Sequence, residues 1–249
     1  MIKSIWTGLI DIAFPRNCIL CRTYHPATAR DPLCPRCHRT LPLNKPPFCL
    51  RCSRHLNNVS EEGLCPSCRE RLPPFDEAWA LLHYEGPTRE LLRRFKFHNK
   101  TSVRRTFAAL LHAFTQRYAL QFPDAAMVIP VPLHPTRLRE RGYNQAALLA
   151  ACAADEFRLP LREDILLRQH HTPRQSELSA KDRWTNIKGA FRIKNSNDIV
   201  GRGIIVVDDI LTTTATASEI ASTLKDAGAS RVIIITLGLA SCGSCATTS

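Results

Sequence analysis

The sequence predicts a small cysteine-rich module followed by an α/β domain with a mainly parallel sheet. Eight of its eleven cysteines fall into four C-x2-C pairs ahead of Pro73-Pro74. Beyond that point cysteines nearly vanish, and short apolar runs alternate with segments of helical periodicity. Strands alternating with helices build a parallel sheet with helices on both faces.

The cysteines at 18, 21, 34 and 37 recur at 49, 52, 65 and 68, a constant offset of 31, so the module is an internal repeat of C-x2-C-x12-C-x2-C. Leu33-Cys34-Pro35-Arg36-Cys37 ahead of Leu41-Pro42 matches Leu64-Cys65-Pro66-Ser67-Cys68 ahead of Leu72-Pro73. A C-x2-C knuckle turns the backbone around an ion and brings two thiolates to it, and two knuckles complete the tetrahedral set that zinc takes. Cys18, Cys21, Cys34, Cys37, Cys49, Cys52, Cys65 and Cys68 are thus expected to hold two structural zinc ions, with no open position for a catalytic water. Halves this short, rich in Pro and Arg, cannot bury a core of their own, and metal replaces it. Sequential and cross-braced pairings use the same ligands; the simpler, sequential one is the expectation. His38 and His55, beside the knuckles, are read as exposed.

The 34 Lys and Arg against 22 Asp and Glu give a net charge of +12, which favours polyanionic partners, nucleic acid or phosphorylated substrates alike. Metal-knuckle spacing argues against a secreted disulfide framework and for a cytoplasmic protein. No continuous apolar run is long enough to span a membrane. Ile2, Ile5, Trp6, Leu9, Ile10 and Phe14 form one face of a short amphipathic helix over 2–14 that ends at Pro15. Cys152 reads as a small core residue, and Cys242 and Cys245 as a lone knuckle in a frayed tail.

In the second part, 77–84 reads as a strand, followed by a helix carrying Leu91, Leu92 and Phe95, and a long helix from about 102 to 120. The apolar run 127–131, a helix from about Asn144, a buried strand 203–207, a helix 217–227 stopped by Gly228, and a strand 231–237 complete the pattern. Ligands bind such sheets at the carboxyl ends of the strands. That end reads Val207-Asp208-Asp209-Ile210-Leu211-Thr212-Thr213-Thr214-Ala215-Thr216. Small hydroxyl residues leading into a helix aim backbone N–H groups and the positive end of the helix dipole at one spot, where a phosphate can sit. The adjacent acids suit ribose hydroxyls and a hydrated Mg ion.

The segment 205–216 resembles the phosphoribosyl pyrophosphate signature of type I phosphoribosyltransferases. Together with the double zinc ribbon, Phe95-Lys96-Phe97, Ile129-Pro130-Val131-Pro132, the run from Arg137 to Gln145, and Gln175, Leu178, Arg183, Asn186 and Phe191, the chain resembles the ComF/GntX family over nearly its full length. That family is linked to DNA uptake in competent bacteria and to the use of external DNA. The resemblance implies a type I phosphoribosyltransferase-like sheet. Asp208 and Asp209 would hold the ribose, and Thr212, Thr213, Thr214, Ala215 and Thr216 the 5-phosphate. The loop after Pro132, with Arg137, Arg139, Arg141, Gly142 and Asn144, would hold pyrophosphate. Arg174, Gln175 and Arg183 would lie in a mobile loop over 170–188, with Lys96 a further phosphate contact. The phosphate loop of the family reads T-T-G, and Thr214 stands where the glycine is expected, which predicts weaker phosphate binding.

The expected divisions are an N-terminal helix (1–16), the double zinc ribbon (17–73), the phosphoribosyltransferase-like domain (75–240) and a tail (241–249). The implied partners are phosphoribosyl pyrophosphate or a related sugar phosphate with Mg, single-stranded DNA, and proteins of the competence machinery. Three functions stay open: a DNA-utilisation protein that binds phosphoribosyl pyrophosphate, an active transferase with an unidentified nitrogen nucleophile, and a single-stranded nucleic-acid-binding accessory protein. For the last, Arg89, Arg93, Arg94, Lys96, Lys100, Arg104 and Arg105 gather charge near Phe95 and Phe97.

Overall fold

The computed structural model describes residues 17–25, 31–56, 62–98, 100–170 and 180–240. The expected helix over 2–14, Arg174, Gln175 and the Cys242/Cys245 knuckle lie outside them. In chain order come α1 (Pro35–Arg39), α2 (Pro66–Glu70), β1 (Glu77–His83), α3 (Gly86–Phe97), α4 (Val103–Tyr118), β2 (Ala125–Pro130), α5 (Pro135–Arg141), α6 (Gln145–Phe157), β3 (Leu166–Arg168), α7 (Ala180–Ile187), β4 (Phe191–Ile193), β5 (Gly203–Leu211), α8 (Ala215–Asp226) and β6 (Arg231–Leu239). No helix among the described residues is long and apolar enough to cross a membrane.

β5 and β6 are β-branched runs flanked by glycine, and they form the middle of a parallel sheet ordered β1-β6-β5-β2. Side chains alternate between its faces. Val128, Ile205, Val207, Ile233 and Ile235 pack under α3, α4 and α6 through Leu91, Phe107, Leu111 and Leu149. Met127, Ile129, Ile204, Val206 and Ile234 pack under α8 and α7 through Ile220, Leu224 and Ile187. Helices thus cover both faces, the class read from the alternating pattern. α6 starts where expected because the Asn144 side chain accepts from Ala146 N at 3.1 Å, an N-cap.

Three segments differ from the sequence reading. The stretch after Pro132 is a helix, α5, rather than a loop: Pro135 opens it, His134 Nδ1 accepts from Thr136 N at 3.3 Å, and Gly142 closes it with φ of 76°. The second half of the expected mobile loop forms α7, and β3 and β4 pair antiparallel as a small separate ribbon. β5 also runs on past Val207 to Leu211, so both acids lie within the strand.

The cysteine-rich module closes the β1 edge of the sheet. Pro42 O accepts from His83 N (2.8 Å), Asn44 N donates to Leu81 O (2.9 Å), and Leu43 bridges Leu82 antiparallel. Asn44 is 1% exposed, and its amide nitrogen donates to Ala80 O, Ser53 O and Ser53 Oγ at 2.9–3.1 Å. An open strand edge is thereby satisfied from within the chain.

Gly203 allows β5 to pair with β2, because a Cβ there would stand 2.6 Å from the backbone oxygen of Asp124. Gly203→Ala is expected to destabilise the protein by about 2 kcal/mol, within the usual cost of overpacking, and thermal denaturation should show a Tm lower by roughly 4–8 °C. An unchanged Tm would mean that the Asp124 turn yields freely.

Candidate functional site

In both halves of the cysteine repeat the third cysteine precedes a five-residue helix with proline at its first position, where the missing N–H has no intrahelical acceptor to lose. Cys34 Sγ accepts from Cys37 N (3.5 Å) and Cys18 Sγ from Cys34 N (3.4 Å), so sulfur points inward at each knuckle. The result is two sequential tetrads, Cys18, Cys21, Cys34, Cys37 and Cys49, Cys52, Cys65, Cys68, with all sulfurs of a tetrad within 4.8 Å of one another. Zinc–sulfur bonds of about 2.3 Å at tetrahedral angles place neighbouring sulfurs roughly 3.8 Å apart. Cys21 and Cys34 stand at 3.7 Å and Cys52 and Cys65 at 3.6 Å. The donor sets therefore fit structural zinc.

The tetrads differ in access: the second is buried throughout, whereas Cys21 of the first is exposed. Purified protein is expected to carry two zinc ions per chain by elemental analysis, and a chelator should remove one well before the other. Cys21→Ser should abolish the fast phase and Cys68→Ser the slow one; single-phase release of both ions would contradict this.

The carboxyl ends of β2, β5 and β6 open on a cavity of about 540 Å³, a volume typical of small-molecule sites (roughly 300–1,000 Å³). Its lining includes Asp208, Asp209, Thr212, Thr214 and Thr216 together with Lys96, Arg137, Arg141, Asn144 and Arg168. Lys96, at the end of α3, pairs with Asp209 at 2.8 Å. Burial pushes Asp208 up to about 7; the neighbouring Asp209 adds to the rise, while the Asp209 N–H, Lys96 and Arg168 oppose it. Burial and nearby Arg137 draw the Arg168 guanidinium below its ordinary value, and Asp208 draws it back up. Two acids and several cations thus share one partly dehydrated space, where electrostatic interactions gain strength.

After β5 the chain turns through Thr212, Thr213 and Thr214 into α8. Thr214 sits at φ 63°, ψ −6°, the left-handed region, and its Oγ1 donates to Thr213 O at 2.6 Å. A β-branched residue is thus held in the region that glycine favours, a conformation that costs about 1–2 kcal/mol. Helix first-turn N–H groups lack intrahelical acceptors, so the α8 terminus presents donors beside this loop.

The cavity gathers most of the residues singled out from sequence. Exceptions are Arg139 and Gly142, exposed on and after α5, Ala215, buried at the start of α8, and Thr213, whose hydroxyl is buried without a hydrogen-bond partner. Asn144 lines the cavity, yet its side chain is committed to structure: Oδ1 caps α6 and Nδ2 donates to Val131 O at 3.0 Å. Arg174, Gln175 and the Arg183 side chain lie outside the described residues. Sequence reading missed Arg168, carried in by the β3–β4 pair, and Gln145, 2% exposed, which accepts from Arg141 Nη1 at 2.9 Å. A three-residue strand leaves no periodicity to read, so only pairing in space brings Arg168 to Asp208. Arg54, two residues past the Cys49–Cys52 knuckle, reads from sequence only as one of several zinc-module arginines that could contact phosphates or dock a protein; its Nη2 donates to Thr212 O at 2.9 Å.

Fold and site together define a double-zinc-ribbon protein whose parallel α/β domain carries a carboxylate and arginine cavity at its strand ends. Residues 9–69 match the double zinc ribbon domain family. Competence protein F of Haemophilus influenzae is 38% identical over 165 residues, 64% of this chain and 71% of that protein. DNA utilization protein YhgH of Escherichia coli K12 is 32% identical over 165 residues, 64% and 70% of the two chains. The chain belongs to the ComF/GntX family. Among solved structures, adenine phosphoribosyltransferase from Leishmania tarentolae aligns with 59% of this chain and 74% of its own, at 12% identity and a TM-score of 0.36, a likeness too distant to carry chemistry across.

Thr214→Gly removes the left-handed strain, about 1–2 kcal/mol, and adds chain entropy of roughly 0.5–1 kcal/mol to the unfolded state. Its Tm should therefore equal or slightly exceed that of the native protein. A loss of more than about 1 kcal/mol in denaturant titration would show instead that the Thr214 hydroxyl holds the loop.

Proposed function

We propose that the cavity binds phosphoribosyl pyrophosphate, or a related sugar phosphate, in a protein of DNA uptake or utilisation. The observation that carries this reading is the convergence, in one cavity, of the Asp208–Asp209 pair, the threonine turn at the start of α8, and Arg137, Arg141 and Arg168. The threonine turn and the helix N-terminus match a terminal phosphate. The acids, a few residues away, match ribose hydroxyls, and the three guanidiniums match the pyrophosphate. Mg would fit beside the pyrophosphate, where it supplies further charge neutralisation; Asp209 is already engaged by Lys96, which leaves Asp208 as the carboxylate to face its water shell.

Transfer of the phosphoribosyl group to a nitrogen nucleophile is a second reading, favoured by the same arginines. In it Arg137, Arg141 and Arg168 stabilise charge as pyrophosphate departs, and Asp208 and Asp209 hold the ribose as cationic character develops. The nucleic-acid reading draws less support from geometry, because the α3 charges are partly spent internally. Arg93 and Arg94 both pair with Glu90, Arg94 also donates to Ile19 O, and Lys96 turns into the cavity toward Asp209. A helix whose cations are paired with its own protein offers few to phosphates.

Titration calorimetry of zinc-loaded protein with phosphoribosyl pyrophosphate and Mg tests the reading. Saturable binding is expected, weakened on the order of tenfold or more in the Asp208→Asn/Asp209→Asn variant, since hydrogen bonds to charged groups contribute about 1.5–3 kcal/mol each. Ionisation makes the carboxyl group a stronger acceptor for hydroxyls and frees both oxygens to accept, and burial raises Asp208 to about 7, so affinity should rise from pH 6 to pH 8 and then level. Absence of binding, or binding indifferent to both the substitutions and pH, would remove the phosphosugar reading.

A further inference from the structure

The second zinc ribbon reaches the phosphate loop through one side chain of its Cys49–Cys52 knuckle. Arg54 follows Cys52 by two residues, and its carbonyl accepts from Cys49 N at 2.7 Å, so its backbone belongs to the knuckle. The side chain is 9% exposed. Nη1 lies 3.9 Å from Cys52 Sγ, and Nη2 donates to Thr212 O at 2.9 Å, across 158 residues of sequence. A buried guanidinium requires compensating negative charge or acceptors. Four thiolates on one divalent ion leave the zinc centre net negative, and Cys52 is among them. Arg54 thus bridges an anionic metal centre to the carbonyl that opens the turn Thr212-Thr213-Thr214. That turn is where Thr214 is held at positive φ and where the α8 donors begin.

A second contact runs parallel to the first. Arg71, just after α2 of the same half, stacks its guanidinium over the Trp184 ring of α7 at 4.6 Å. α7 is the second half of the segment expected to close over the site, so the second ribbon touches both the phosphate loop and that helix.

We propose that Arg54 is a positioning residue through which the second zinc centre sets the phosphate loop, so that occupancy of that centre regulates phosphosugar binding. This rests on the phosphosugar reading above. Zinc fixes the knuckle and its charge, these fix Arg54, and Arg54 fixes the Thr212 carbonyl and with it the direction of the N–H groups that follow. The first tetrad makes no such contact with the cavity among the described residues.

The test uses the full zinc-loaded chain with Arg54→Met, which keeps an apolar stem and removes the donors, Arg54→Lys, whose ammonium cannot span Cys52 and Thr212 together, and Arg51→Ala. Arg51 lies in the same knuckle but donates to Phe75 O and Asp76 O at 2.7 Å, away from the cavity. Zinc content, phosphoribosyl pyrophosphate affinity with Mg, and hydrogen exchange of the amides at 212–216 are read on each. Arg54→Met is expected to retain two zinc ions, bind about tenfold more weakly and exchange faster at 212–216, with Arg54→Lys intermediate and Arg51→Ala within twofold of native. Native-like affinity and exchange in Arg54→Met overturn the proposal. If that variant sheds its second ion, Arg54→Lys decides: native-like values with both ions present overturn the proposal, and intermediate ones support it. Should the native protein bind no phosphoribosyl pyrophosphate, the phosphosugar reading fails, and the exchange measurement still decides whether Arg54 holds the loop.

Discussion

A strand enclosed between two helical layers can carry charge only where the layers end, and β5 is that strand here. Ile204, Ile205, Val206 and Val207 are fully buried, packed alternately under α4 and α6 on one face and under α8 on the other. The next two residues are Asp208 and Asp209. Their position at the lip of the core raises Asp208, and it dictates what must surround them. Lys96 arrives from α3, Arg168 from the β3–β4 pair, and Arg137 from α5, three elements with nothing in common except that each ends beside β5. The site is a consequence of closing the sheet: charges that cannot be buried alone are gathered at one place where they compensate one another.

The same sheet leaves β1 as an edge, and the metal module solves that problem. A segment of about thirty residues with four cysteines cannot build an apolar core. With zinc it becomes rigid enough to present Pro42–Asn44 as a surrogate strand, and the buried Asn44–Ser53–Ala80 bonds lock that pairing. The first half goes further, because Cys18, Ile19, Leu33 and Leu41 join the main core, with Thr106 of α4 donating to Asp31 at 2.7 Å. The second half keeps a small cluster of its own around Cys49, Cys52, Leu56, Cys65 and Cys68. The α/β domain therefore leans on the module both at its β1 edge and, through Arg54, at Thr212.

What was legible in the sequence was whatever is encoded locally or by repetition. The offset of 31 gave the tetrads, apolar runs gave the long strands and helices, and an acid pair followed by hydroxyl residues marked the strand end. Interactions set by long-range placement were not legible. Nothing near Lys96 announces Asp209 as its partner, and nothing near Arg54 announces Thr212. The resemblance placed Asn144 at the pyrophosphate, and only the structure shows that its side chain also caps α6 and bonds Val131 O. α5 was read as loop because its cap is a histidine, a weak signal for a helix start.

Thr214 joins these levels. A β-branched residue does not choose the left-handed region by itself, so its conformation is imposed from both sides. On one side β5 fixes the chain as far as Leu211 through its pairing with β6. On the other, α8 begins at Ala215, buried against the sheet, and Ser218 N donates to Thr214 O at 2.7 Å. Between these fixed points only a tight turn closes the chain, and Thr212, the residue with freedom to relieve it, has its carbonyl taken by Arg54. The turn thus holds a β-branched residue in the left-handed region, and the surrounding structure carries the strain.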